Sequence, residues 1–157
     1  MLAVLALATP ACDGGGGDGG STDRVAGVYL AVLRWAVDEA AGSVPTTEPA
    51  HDPPVVYAWG LDGRAIPAAV QVVVVKDARD ELNVRFADAR EEAIDDDEVG
   101  EPVHDDGLLV SLGTVPEAGD ELTMEAEVYR DLDHDLAFEL QLRVSDEGWR
   151  VVAATRR

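Results

Sequence analysis

LTMEAEVY at residues 122–129 and LAFELQLRVS at residues 136–145 are the stretches on which the fold turns. Leu122, Met124, Ala126 and Val128 alternate with Thr123, Glu125, Glu127 and Tyr129. Leu136, Phe138, Leu140, Leu142 and Val144 alternate with Ala137, Glu139, Gln141, Arg143 and Ser145. A period of two marks strands with one dry and one wet face. Ser145-Asp146-Glu147-Gly148 supplies a turn, and WRVVAAT returns as a last strand. The result is an antiparallel meander whose dry face needs a cover.

Two helices can provide that cover. In RVAGVYLAVLRWAVDEAA at 24–41, Val25, Val28, Tyr29, Val32, Ala36 and Ala40 recur at the helical period. Thr22 or Asp23 can cap the start and Gly42 can end it. IPAAVQVVVVKDARDEL at 66–82 is ambiguous: its four valines suit a strand. Pro67 suits a first helical turn, and Ile66, Val70, Val74, Ala78 and Leu82 form one helical face, so a helix is taken for 67–82. VVYAWG at 55–60, VRFA at 84–87 and LLVSLG at 108–113 read as strands. SVPTTEPAHDPP at 43–54 reads as a stiff connector, and 88–107 as a charged, irregular crossing. The expected architecture is a two-layer α+β domain over 24–157, an antiparallel sheet with a C-terminal meander covered by two helices.

The beginning of the chain reads differently. MLAVLALATPA at 1–11 is an uncharged apolar run of signal-peptide size, followed by Cys12 and a glycine-rich stretch. It resembles a bacterial lipoprotein precursor, which implies lipidation of Cys12 and a tether over 12–23. Thr9 and Pro10 depart from that pattern, and the missing positive n-region predicts a start upstream of Met1. Two or more acyl chains on one cysteine suffice for stable anchoring. A glycine-rich coil of this length would hold the domain roughly 20 Å from the bilayer. The expected location is the outer face of the cell membrane, with the membrane itself as a partner. The alternative is general signal-peptide cleavage and a secreted soluble protein.

Composition narrows the function classes. Hydrophobic residues make up 46% of the 157, too many for a disordered acidic chain. Cys12 is the one cysteine, so no disulfide can form within the chain. A formal charge of -20 repels phosphate and argues against nucleic acid as a partner. The same self-repulsion is relieved by salt, which predicts a protein suited to a salty medium.

GLLVSLGTV at 107–115, GWRVVAA at 148–154, YLAVLRW in the first helix and VRFADAREEAI at 84–94 are together similar to uncharacterised lipoproteins of actinobacteria. That resemblance implies a small exported domain and carries over no catalytic residue. More weakly, the N-terminal helix, long antiparallel sheet and terminal Gly-Trp strand resemble the cystatin-like superfamily that includes the nuclear transport factor fold. It implies a pocket between helix and sheet.

Chemistry-bearing constellations are few. Asp131, Asp133, His134 and Asp135 could chelate a hard cation, but an EF-hand frame starting at Asp131 puts Leu136 and Leu142 where glycine and glutamate belong. The acidic run in 95–106 places Gly100 well, yet Val99 and Pro102 interrupt it. Both loops read as solvated turns. His51, His104 and His134 fall in loops, and none of Ser21, Ser43, Ser111 and Ser145 sits in a nucleophile elbow. Tyr29, Trp35, Tyr57 and Trp59 could line a pocket beneath the first helix, and read more simply as core. The expectation is a non-enzymatic binding or interaction domain, without catalytic, cofactor or metal residues. The alternative is an enzyme or small-ligand binder with a cystatin-like pocket.

Overall fold

A computed structural model of the chain describes residues 18–43 and 53–157. The described residues form an α+β fold of two α-helices and one sheet of six strands. The elements are α1 (Asp18–Ser43), β1 (Val55–Gly60), α2 (Ala68–Ala78), β2 (Asn83–Phe86), β3 (Leu108–Leu112), β4 (Glu121–Asp131), β5 (His134–Ser145) and β6 (Gly148–Arg156). The sheet order is β2-β1-β3-β4-β5-β6.

The sheet is mixed, which corrects the antiparallel expectation. From β3 through β6 neighbours run antiparallel, but β1 is parallel to both β2 and β3. The cause is connection length. Parallel neighbours need a crossover, and α2 supplies one between β1 and β2. The 88–107 segment supplies the other, between β2 and β3. The alternation that makes β4 and β5 legible as antiparallel says nothing about the direction of the short strands before them.

α1 starts at Asp18, ahead of the cap expected at Thr22 or Asp23, so the back of the glycine-rich stretch is helical. Asp23 lies in its second turn, where a carboxylate favours the positive end of the helix dipole. Its buried face is wider than the periodicity suggested. Leu30, Ala31 and Leu33 join Val28, Tyr29, Val32 and Ala36 in the core, because α1 packs on α2 as well as on the sheet. Gly27 permits that approach: a Cβ there would lie 3.2 Å from the Trp149 ring. α2 begins after Pro67, whose carbonyl accepts from Val70 and Gln71 N–H at 2.9 and 3.1 Å. It ends at Ala78, short of the expected 82; Val70, Val74 and Ala78 are its buried stripe, and Ile66 and Leu82 are buried just beyond its ends.

The main core lies between the helices and one face of the sheet. Val56 and Ala58, Val110 and Leu112, Leu122 to Val128 in steps of two, and Phe138, Leu140 and Leu142 all point into it. Burial of each such Leu or Val contributes roughly 1.5–3 kcal/mol. A second, smaller cluster occupies the opposite face. Val55, Tyr57, Leu109 and Tyr129 pack there with Ala93, Ile94 and Val103 of the 88–107 segment. That segment, expected to be an irregular crossing, is therefore also a cover. Ile94 and Val103 clamp it by an isolated antiparallel bridge.

Candidate functional site: the crevice at the ends of β1 and β3

β1 and β3 lie side by side in the same direction and end in register at Gly60 and Leu112. Beyond those ends the chain diverges. From β1 it turns toward α2 and β2; from β3 it turns the other way, into β4. Among the described residues no connection fills the gap, and a crevice of about 250 Å³ remains. Leu61, Asp62 and Arg64 line it from the β1 side, Gly113 and Thr114 from the β3 side, and Thr123 and Glu125 from the overhanging start of β4.

Two glycines permit the close backbone approaches beside it. A Cβ on Gly60 would sit 1.8 Å from the Arg64 carbonyl oxygen, and one on Gly113 would sit 2.5 Å from that of Glu125. Only the absence of a side chain lets the backbones approach so closely. Asp62 between them has φ 62°, the left-handed region that costs a non-glycine residue energy. The Tyr29 hydroxyl donates to the Gly113 carbonyl at 3.1 Å from the core side, and burial raises its pKa above that of a free phenol. The Arg64 guanidinium donates to the Thr114 hydroxyl and forms no ion pair among the described residues. Glu125 is engaged by Arg157, which also pairs with Glu139 at 3.2 Å.

The sequence reasoning missed this crevice. The available signal was a turn glycine just past each of two strand ends, in GLDGR and GT, which becomes informative only once the strands are known to be parallel neighbours.

The residues singled out from the sequence fall elsewhere. Cys12 and His51 lie outside the described residues. The aromatic set is divided: Tyr29 and Trp35 sit on the helix side, where Trp35 packs edge-on to Phe138 at 5.0 Å. Tyr57 and Trp59 point to the other face. They therefore do not line a pocket beneath α1, because adjacent odd positions of β1 turn away from it. The Trp59 indole N–H donates to the buried Ser111 hydroxyl at 2.9 Å, so that serine is a core partner of a tryptophan. Tyr57 donates to Asp105 at 3.3 Å, and both are held by Arg85. Hydrogen bonds to Asp105 and Tyr57 raise the Arg85 pKa further and fix its charge.

The two acidic loops meet at the far end of the sheet. Leu132 N–H donates to the Gly100 carbonyl at 3.0 Å, and Val103 N–H to that of Arg130 at 2.9 Å. Among the described residues, no three His, Cys, Asp or Glu side chains converge as a metal site. The acids are held by local partners. His134 Nδ1 lies 2.7 Å from Asp131 Oδ1, and Asp133 N–H donates to the same oxygen at 3.0 Å. Desolvation pushes the Asp131 pKa up, but these hydrogen bonds outweigh it and the net shift is downward. The Tyr129 hydroxyl donates to the Glu101 carbonyl at 2.8 Å, and Arg90 stacks on its ring at 4.5 Å while reaching Asp135 at 3.6 Å. Burial raises the Tyr129 pKa.

Comparison with protein-family models, curated proteins and solved structures finds no match to this chain.

Proposed function

We propose that this chain is a lipid-anchored domain of the cell envelope that binds a partner or small molecule and performs no catalysis, of the kind represented by the uncharacterised actinobacterial lipoproteins it resembles. The observation that carries the proposal is the order of its first residues: an uncharged apolar leader over 1–11, Cys12, then a glycine run. In this reading Cys12 bears the lipid and the domain stands on the outer face of the membrane. The two helices act as one layer over the β4–β6 meander. With α1 beginning at Asp18, the link from Cys12 spans at most roughly 20 Å even when extended. The α1 start and its neighbours, Pro116 and Trp149, then face the bilayer, and the acidic loops at 95–106 and 131–135 face away.

Binding is favoured over catalysis by the chemistry in the crevice. Its polar side chains are a guanidinium, two threonine hydroxyls and two carboxylates, a set that recognises charge and lacks a nucleophile–base pair. The test is mass spectrometry of the protein extracted from membranes of a lipoprotein-processing bacterial host. The expected product begins at Cys12 and carries acyl mass on it, and Cys12→Ser moves the protein to the soluble fraction. An unmodified thiol on a soluble chain would reject the anchor.

A further inference from the structure

We infer that the crevice between the ends of β1 and β3 binds a small zwitterion, a molecule with a carboxylate and an ammonium group close together, as in an amino acid. The inference rests on the reading of the chain as a binding module and is independent of the anchor. Its first support is topological. In open sheets with parallel strands, ligands settle outside the carboxyl ends of two strands whose connections depart in opposite directions, because no loop fills that gap. β1 and β3 are such a pair, and the crevice lies where their exits diverge. The main sheet geometry is thus what makes the vacancy, with Tyr29 holding the Gly113 carbonyl in place behind it.

The second support is charge. Arg64 spends one guanidinium nitrogen on Thr114 and has no carboxylate partner among the described residues. Its remaining N–H groups form the planar fork that suits a carboxylate, and Thr114 and Thr123 line the same crevice. Asp62 lines the same crevice, two residues before Arg64, and likewise makes no ion pair among the described residues, so it offers an acceptor for an ammonium group. Glu125 is engaged by Arg157, a cation it shares with Glu139. A phosphate dianion is disfavoured by Asp62 and by the overall charge of -20. A simple cation meets Arg64. A zwitterion is not steered away by the field of the protein and finds a partner for each of its charges. The volume of about 250 Å³ admits a molecule of amino-acid size rather than a nucleotide.

The test is an NMR titration of the isotope-labelled full chain carrying Cys12→Ser, with L-alanine as probe at constant ionic strength. Sodium acetate and methylammonium chloride serve as half-ligands. The expected result is saturable shifts centred on Gly113, Thr114 and Thr123, with each half-ligand at least about tenfold weaker, since each forfeits one charged contact. Arg64→Gln and Asp62→Asn should each weaken binding about tenfold or more, with amide spectra otherwise preserved. Asn tolerates the left-handed backbone at this position, so Asp62→Asn removes the charge and keeps the turn. Non-saturating shifts, an equal response to acetate alone, or indifference to both variants would overturn the inference. Saturation at another surface would overturn this site while leaving a binding module; chemical conversion of the alanine would overturn the binding-module reading itself.

Discussion

The two faces of the sheet are built on different principles. The helix-side face is aliphatic, continuous from β1 to β6, and closed by regular elements. The opposite face is dry only across β1, β3 and the end of β4, and its large side chains are aromatic with polar tips. Tyr57, Trp59 and Tyr129 each bury a ring there and hand a hydroxyl or N–H to Asp105, Ser111 or Glu101. An aliphatic face needs only shape from its cover. An aromatic face with polar tips needs specific acceptors, and an irregular segment can supply carbonyls and carboxylates, as Glu101 and Asp105 do for Tyr129 and Tyr57. The 88–107 segment does so with its backbone strained, Glu101, Asp105 and Asp106 all having positive φ.

Substitutions separate the two faces, and the largest effect belongs to the helix side. Leu140→Ala, at a position with no exposed surface, should cost about 2–5 kcal/mol and lower the denaturation midpoint of the whole domain. Ile94→Ala on the other face should act locally. Amide exchange across 93–105 should accelerate while the global midpoint moves little, because Ile94 belongs to the smaller cluster and the main core lies on the other face. An equal global loss from both variants would mean that the two clusters unfold as one. Tyr29→Phe removes a buried donor from the Gly113 carbonyl and should cost about 1–2 kcal/mol in a denaturant melt. Salt should stabilise both faces together: raising sodium chloride from low to molar concentration should lift the melting midpoint by about 2–4 °C per kcal/mol of repulsion screened. An unchanged midpoint would remove the argument from charge.

The smallest effect lies at the far loops. Asp131 has a pKa below the ordinary aspartate range in the folded state. Its contribution is therefore complete above that ordinary range and is lost as pH falls through the depressed value. Asp131→Asn should flatten the acid limb of the stability curve, with a change of no more than about 0.5 kcal/mol at neutral pH.

How much of this was legible follows from periodicity. β4 and β5 declare themselves by strict alternation, and α2 by a four-residue step running through its valines, because each presents one face to a continuous aliphatic core. The helix side was readable for that reason. The other face was not. Tyr57 and Trp59 look in sequence like partners of the helix-borne aromatics, and only the face that the odd positions of β1 present separates them. Ala93, Ile94 and Val103 have no period, since an irregular cover contributes apolar residues wherever its turns approach the sheet. The crevice was hidden more deeply. Arg64 and Thr114 are ordinary residues, and their meeting depends on β1 and β3 being parallel neighbours, a pairing that the intervening residues conceal.

One detail of β6 bears on crowding. β5 pairs Gln141 with Ala153 and Leu142 with Val151, so Val152 is an extra residue in the border strand. A straight border of this length would be a template for another chain to zip onto. The inserted residue breaks the even spacing of its outward amides, and Arg150 and Arg156 set like charge against the matching strand of any second molecule. Packed side by side at high surface density, these domains should remain separate instead of polymerising.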